Sequence, residues 1–305
     1  MTLLPFRARR RAASTLGALL VVPAFLTSAV TFATPPASTP DQVAKHDDKE
    51  YLLVRTFKVK DVNHYKMITT ASIDHPQFGN LEIVATMVYK ETTKEIKENG
   101  NAIILSEFDS AVYKVAGMEK DISGTLPTIN TTVDKQGHVL DTKMEGGDPE
   151  VTKQMAASML TNMGQQSFFP VKPVKVGDTW KLDSTAKDKK TPKVTGTATV
   201  LGTDTINGLQ TLKIKTVSDT EMTMDNPVNP GEMMTIKAHS EGITNFDVAS
   251  GKMVKMTMTS TSEGSALGKN KSDVTISLVS DDKTKEDAKP GDTKKAADKA
   301  DKPKE

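Results

Sequence analysis

The chain has 305 residues, no cysteine, 26% charged residues and a formal charge of +1. The lack of cysteine excludes disulfides and the lipid-attachment site of a lipoprotein. Four of the five arginines lie in residues 1–33, and the rest of the chain carries 36 basic and 39 acidic side chains, a charge of −3. This balance offers no concentrated basic face, so we expect no nucleic-acid partner.

The N-terminus has the pattern of a secretory signal peptide over residues 1–33. A basic stretch, Arg7 to Arg11, precedes an apolar stretch, Leu16 to Val30. Small residues follow, and cleavage after Ala29 or after Ala33 fits the pattern. The apolar stretch is short for a permanent membrane helix, although an uncleaved anchor is the alternative. We expect an exported protein, periplasmic or secreted, with no stable membrane span after cleavage.

Two polar segments flank the predicted folded part. Residues 34–50 contain three prolines and no apolar period, which predicts a disordered spacer. Residues 281–305 contain eight lysines and eight acidic residues, which predicts a disordered charged tail. A lysine-rich tail that contacts a wall or surface is the alternative. Residues 51–280 remain as a single predicted β domain.

Apolar and polar residues alternate with a period of two through most of residues 51–280. Such alternation indicates antiparallel strands with one buried face. Four dipeptides typical of hairpin turns separate the runs: Asn99-Gly100, Gln136-Gly137, Asn207-Gly208 and Ser250-Gly251. The clearest apolar runs are Leu81, Ile83, Ala85, Met87 and Tyr89; Met234, Ile236 and Ala238; Val254, Met256 and Met258; and Val274, Ile276 and Leu278.

The two halves of this domain, 51–147 and 168–280, share three landmarks in the same order. Val59-Lys60 with Tyr65-Lys66-Met67 matches Val174-Lys175 with Trp180-Lys181-Leu182; Asn99-Gly100 matches Asn207-Gly208; and the stretch 133–139 resembles 246–253. The landmarks predict a duplicated β-meander. The alternative to duplication is that any two β-meanders share turn residues at similar spacing.

A helix is predicted over residues 149–163, between the halves. Asp148 is a suitable N-cap, Pro149 fits the first helical position and Gly164 is a natural stop. One face of this helix is apolar at 3.6-residue spacing. We expect that stripe to pack on the concave face of the sheet and to cover a ligand there; its residues are Val151, Met155, Met159, Leu160 and Met163.

The sequence contains none of the familiar catalytic or cofactor motifs, such as GxSxG, HExxH, CxxC or GxGxxG. Its five histidines are scattered and never stand at metal-ligand spacing. We therefore expect no enzyme, no catalytic residues, no cofactor and no metal site. The 15 methionines are the unusual abundance. Clustered thioethers can bind Cu(I), but methionines at alternating positions are typical of core packing or of a pliable apolar site.

The stretch FFPVKPVKVGDTWKL, residues 168–182, resembles a motif of uncharacterised secreted bacterial proteins, known only as domains of unknown function. The resemblance implies an exported all-β protein and supplies no catalytic residues. In layout the chain is also similar to the LolA- and LppX-like half-barrel lipid carriers, in which a curved antiparallel sheet shelters acyl chains. This chain has one clear helix where those carriers have several, and it lacks a lipid-anchoring cysteine.

Together these patterns predict a mainly β fold, a strongly curved antiparallel sheet or open half-barrel with one amphipathic helix on its concave face. The predicted function is a non-enzymatic envelope protein that binds a hydrophobic or lipid-like ligand between sheet and helix. The alternative is a structural or protein-interaction module of the cell envelope with a self-filled core and no ligand. The sequence leaves the ligand, the protein partners and the oligomeric state open.

Overall fold

The computed structural model describes residues 49–75, 79–153, 155, 169–184, 193–225, 231–264 and 268–280. The predicted signal peptide, the charged tail and nearly all of the spacer lie outside these residues. Most of the predicted helix also lies outside them. Those predictions therefore stay predictions.

Twelve β-strands make up most of the described chain. The alternation of apolar and polar residues along these strands and the hairpin turns between them are the local features that the sequence predicts. The strands are β1 (Val62–His75), β2 (Gly79–Ile96), β3 (Ala102–Val115), β4 (Met118–Asp121), β5 (Thr128–Val133), β6 (Val139–Glu145), β7 (Thr179–Ser184), β8 (Lys193–Ile206), β9 (Leu209–Asp225), β10 (Met233–Asp247), β11 (Lys252–Gly264) and β12 (Gly268–Val279).

All twelve strands belong to one antiparallel sheet. The hydrogen-bonded order is β6-β5-β3-β2-β1-β12-β11-β10-β9-β8-β7, and β4 pairs with β3 beside this path. The sheet is not closed, and β6 and β7 form its two edges. The first and last strands pair at its centre, where Tyr65 faces Leu278 and Met67 faces Ile276. The predicted fold class, a mainly β protein with one curved antiparallel sheet, is confirmed.

The sheet is strongly curved at one end. This is shown by a short segment that contacts residues near both edges, which a flat sheet would hold far apart. Tyr51 exchanges two backbone hydrogen bonds with Val174, which precedes β7, and the Arg55 N–H donates to Lys135 O in the β5–β6 turn at 2.8 Å. Four extended residues reach about 14 Å. A flat sheet with this strand order would separate its edges by about 48 Å. We name residues 49–58 the crossing segment.

A second contact joins the same two regions. The Phe169 N–H donates to Gln136 O in the β5–β6 turn at 3.0 Å, and the Phe169 ring packs on Phe246 with centroids 4.6 Å apart. Around it lies the largest hydrophobic cluster of the described residues, which the crossing segment covers with Leu53, a side chain that is 0% exposed. The core therefore sits on one face of the sheet, which we call the inner face.

The three sequence landmarks occupy corresponding places in the two halves. One pair precedes and enters β1 and β7, a second forms the β2–β3 and β8–β9 turns, and the third spans the β5–β6 and β10–β11 turns. In the first half, the short strands β4 and β5 lie end to end beside β3. In the second half, the single strand β10 takes the corresponding place beside β9. Duplication of the meander stays a prediction that superposition of the halves can test.

The start of the predicted helix is described. Residues 149–153 and 155 are helical, and Asp148 Oδ1 accepts hydrogen bonds from the Glu150 N–H at 2.9 Å and the Val151 N–H at 3.2 Å. Asp148 is thus an N-cap, because its side chain satisfies two of the N–H groups that a helix leaves unpaired. Within the described residues, no helix is long and apolar enough to cross a membrane.

Candidate ligand-binding site

Six apolar side chains on the inner face remain partly exposed at the centre of the sheet. Register places Met256 beside Ile276 and Ile276 beside Met67, while Met258 lies beside Val274. Leu278 follows Ile276 on the same face, two residues along the strand. We name this set the central strip; its members are Met67, Met256, Met258, Val274, Ile276 and Leu278.

The central strip lies between two covered parts of the inner face. On the β7–β10 side, the inner face is covered by residues of the crossing segment and by Phe169 and Val174. On the β2–β3 side, Met87 and Ala111 pack under Ile122, and Met67 is the only strip residue that joins that cluster. The strands between them, β1, β11 and β12, therefore present the apolar surface that is least covered.

Aromatic and charged groups close one end of the inner face. Tyr65 stacks on Tyr89 with ring centroids 5.5 Å apart, and the Tyr65 hydroxyl donates to Met253 O at 3.5 Å. Beyond the tyrosines, Glu91 Oε2 lies 3.8 Å from Arg55 Nη2 of the crossing segment. This end of the inner face is bounded by an ion pair that fastens the crossing segment to the sheet.

Burial shapes the electrostatics of this closed end. Desolvation raises the pKa of Glu91 above its usual 4.5, and the nearby Arg55 guanidinium opposes that rise. Burial also raises the pKa of both Tyr65 and Tyr89, and the Glu91 carboxylate adds to that effect. The two phenols therefore stay protonated at neutral pH. A second ion pair, between Lys252 Nζ and Asp61 Oδ2 at 2.7 Å, stands at the same end.

Polar side chains replace apolar ones on the inner face at the other end of the central strip. They come from the two rows that follow Met258 and Val274, away from the tyrosines. All are at least nine-tenths buried, and the Ser240 and Ser260 hydroxyls hydrogen bond at 2.5 Å. We name this set the hydroxyl band; its members are Ser218, Thr220, Ser240, Ser260, Ser262, Asn270 and Ser272.

Four polar atoms of the hydroxyl band have no hydrogen-bond partner: Thr220 Oγ1, Ser262 Oγ, Asn270 Oδ1 and Ser272 Oγ. Register makes three of their residues near neighbours, because Ser262 faces Asn270 and Ser272 follows Asn270 by two positions. Buried polar groups in proteins are nearly always paired, so these three neighbouring unpaired atoms, with Thr220 Oγ1 two strands away, form an unusual patch.

An open trough of about 520 Å³ crosses β8 to β12; most of its lining residues belong to the outer face, and Thr220, Ala238, Ser262 and Asn270 also line it. One wall is a row in which basic and acidic side chains alternate from strand to strand, namely Lys193, Glu221, Lys237, Glu263 and Lys269. In the other wall, His239 Nδ1 lies 2.8 Å from Asp219 Oδ1. Because each charge has an opposite neighbour across the sheet, the row is largely self-compensated and gives a charged ligand little net attraction.

The predicted lid stripe is only partly within the described residues. Val151 is partly buried and Met155 is 5% exposed. Met159, Leu160 and Met163 lie outside the described residues, so the lid stays a prediction. In the part of the chain that is described, no three His, Asp or Glu side chains gather into a group that could hold a metal ion.

Sequence reasoning missed the closed end and the hydroxyl band. Arg55 stands out in the sequence as the only arginine after the leader, but nothing local links it to Glu91. A signal for the band did exist. The positions Ser260 and Ser262 continue the apolar alternation of Val254, Met256 and Met258, so the change from thioether to hydroxyl marks where the inner face becomes polar.

Comparison with known proteins assigns no family. No protein-family model and no curated protein matches the chain. A solved structure titled lipid-protein interactions in lipovitellin aligns with a TM-score of 0.46 and 10% identity, over 74% of this chain and 26% of that one. DynF from the dynemicin biosynthesis pathway of Micromonospora chersina aligns with a TM-score of 0.21 and 6% identity, over 84% of this chain and 98% of that one. Similarity at this level carries no argument about function.

Proposed function

We propose that this is a non-enzymatic, exported protein of the cell envelope that binds a hydrophobic or lipid-like ligand on the inner face of its sheet. The observation that carries the proposal is the central strip. Six apolar side chains face inward yet remain partly exposed, while the inner face on both sides of them is covered.

Exposed apolar surface on a concave face is costly in water. Covering it with an apolar ligand gains roughly 25 cal/mol for each Å² removed from solvent. Three of the six strip residues are methionines, whose unbranched side chains repack around ligands of different shape. The strip therefore suits an acyl chain or a similar flexible apolar group better than a rigid polar substrate.

The signal-peptide pattern of residues 1–33 supports export, and the lack of recognised catalytic motifs supports a binding role. The proposal includes a working layout similar to that of the LolA- and LppX-like carriers, with a curved sheet sheltering the ligand. The helix that begins at Asp148 would then supply the lid. Hydrogen exchange of the Val151 and Met155 amides, with and without ligand, tests that lid.

A structural or protein-interaction module is the second candidate. The observation that favours it is the filling of the inner face by the chain itself, since Leu53, Phe169 and Phe246 all pack there. In this case the central strip would be an incompletely covered core. Purification without any bound lipid, together with failure to bind an apolar probe, would support this second candidate.

Native mass spectrometry after gentle purification tests the proposed function directly. We expect a co-purified mass shift that organic extraction removes. The delipidated protein should then bind the neutral fluorescent probe N-phenyl-1-naphthylamine, and the extracted lipid should displace it. Absence of both the mass shift and probe binding contradicts the proposal.

Two tryptophan substitutions on adjacent residues of β11 locate the site. Met258 belongs to the central strip, whereas Thr257 lies on the outer face. Met258→Trp should fill the space over the central strip and weaken probe binding by about tenfold or more, because the added volume displaces the ligand. Thr257→Trp should leave probe binding close to wild type. Equal effects of the two substitutions would show that the probe does not bind on the inner face.

A further inference from the structure

We propose that the hydroxyl band is the head-group subsite of an amphipathic ligand whose head is uncharged and hydrogen-bonding, such as a glycerol, sugar or amide group. This inference rests on the proposed function, because it assigns the other end of the ligand that the central strip holds. The ligand would lie with its apolar chain towards the tyrosines and its head towards Ser262 and Asn270.

The unpaired atoms of the hydroxyl band define the chemistry of the head group. Asn270 Oδ1 is only an acceptor, so its partner must be an O–H or N–H donor. The orphan hydroxyls of Thr220, Ser262 and Ser272 each donate one hydrogen bond and accept others. A head group with several hydroxyls supplies donors and acceptors at once and matches the three neighbouring atoms of Ser262, Asn270 and Ser272.

The band and the strip are in contact along the strands. On β11, Met258 of the strip is followed on the same face by Ser260 and then Ser262. On β12, Val274 is preceded by Ser272 and then Asn270. Successive residues on one face are about 6.8 Å apart. The change from apolar to polar surface therefore happens within one step, on two adjacent strands at the same level.

Charge excludes an anionic or cationic head. Among the described residues of the two inner-face rows that hold the band, from β8 to β2, every side chain is uncharged. The charged residues of these strands, such as Lys237 and Glu263, alternate with the band residues along each strand and so stand on the outer face, although the trough that they line also touches Thr220, Ser262 and Asn270. A carboxylate or phosphate brought to the band would lose its hydration without gaining a cation, which is strongly unfavourable.

Ligands that share one acyl chain and differ only in the head test the inference. Monoolein has a neutral glycerol head and oleate has a carboxylate, and each would displace N-phenyl-1-naphthylamine from the wild-type protein at a pH of about 8, where oleate is ionised. We expect monoolein to displace the probe at a concentration about tenfold lower or better, from one or two added hydrogen bonds.

The variant Ser262→Ala/Asn270→Leu should remove the preference for monoolein, leave oleate unchanged, and keep or raise thermal stability because buried orphans are eliminated. The single variant Ser262→Ala serves if the double variant does not fold. Thr261→Val, on the outer face between the same strands, is the matched control and should retain the preference.

The outcomes separate the two proposals. Probe binding with equal displacement by monoolein and oleate, or a preference that survives in the band variants, overturns the head-group assignment and leaves the apolar site standing. A preference for oleate overturns the assignment as well. Failure of the wild-type protein to bind the probe contradicts the proposed function, and the head-group assignment falls with it.

Discussion

At the scale of single residues, the closed end of the inner face shows how one ionisable pair links distant parts of the chain. Glu91 lies on β2 with 24% of its side chain exposed, and its partner Arg55 belongs to the crossing segment. Arg55 also stands over the Phe57 ring at 5.7 Å from its centroid, which helps to orient the guanidinium. Burial of the carboxylate costs free energy that the arginine only partly returns.

The raised pKa of Glu91 predicts a component of the pH dependence of stability. Because the folded protein holds this proton more tightly than the unfolded chain, the free energy of unfolding falls as pH rises from about 4.5 through the raised pKa. Glu91→Gln should lack this component. Urea unfolding between about pH 4 and pH 7 measures it, with Glu107→Gln as the control, since the Glu107 side chain is partly exposed and also pairs with a cation, Lys90. Identical profiles for wild type and Glu91→Gln would contradict the assignment.

At the scale of elements, the hairpins are where local sequence and tertiary contact can be told apart. Asn207 and Gly208 form the β8–β9 turn with φ of 51° and 78°, the geometry that Asn-Gly favours. Gly251 in the β10–β11 turn has φ of 67°, but it also touches the crossing segment. A Cβ at that position would lie 2.3 Å from Thr56 N, whereas one at Gly208 would meet nothing within 4 Å.

Two glycine substitutions therefore should differ in cost. Gly208→Ala should lower the free energy of unfolding by about 1 kcal/mol, the cost of a left-handed conformation for alanine. Gly251→Ala pays a similar cost and must also displace backbone, which should add about 1–3 kcal/mol. Chemical denaturation of both variants measures the difference. Equal losses would mean that the crossing segment does not press on the β10–β11 turn.

At the scale of the whole molecule, the crossing segment ties the two ends of an open sheet together. Its residues contact the chain before β7, the β5–β6 turn and the β10–β11 turn, which lie far apart in the strand order. Curvature in turn creates the inner face, and with it the central strip and the hydroxyl band. The proposed function therefore depends on a segment with no regular secondary structure of its own.

Adjacent leucines of the crossing segment test this role. Leu53 is 0% exposed within the main cluster, and Leu52 is 47% exposed. Leu53→Ala should lower the free energy of unfolding by about 2–5 kcal/mol. It should also speed hydrogen exchange at the Val174 and Phe169 amides, which donate to Tyr51 O near one sheet edge and to Gln136 O near the other. Leu52→Ala should change neither measurably. If Leu53→Ala destabilises the protein but leaves hydrogen exchange at those amides unchanged, the crossing segment does not maintain the curvature of the sheet.

Local patterns in the sequence determined the class of this protein. Period-two alternation marks β2, β10, β11 and β12, and Asn-Gly dipeptides mark two of the turns between strands, because face alternation and turn geometry are properties of neighbouring residues. The N-cap at Asp148 is predictable for the same reason. Pairing of β1 with β12, the course of the crossing segment and the contact between Arg55 and Glu91 were decided only by the tertiary structure. These contacts join residues far apart in the chain, and the free energy that selects them comes from burying the inner face as a whole, which no short stretch of sequence encodes.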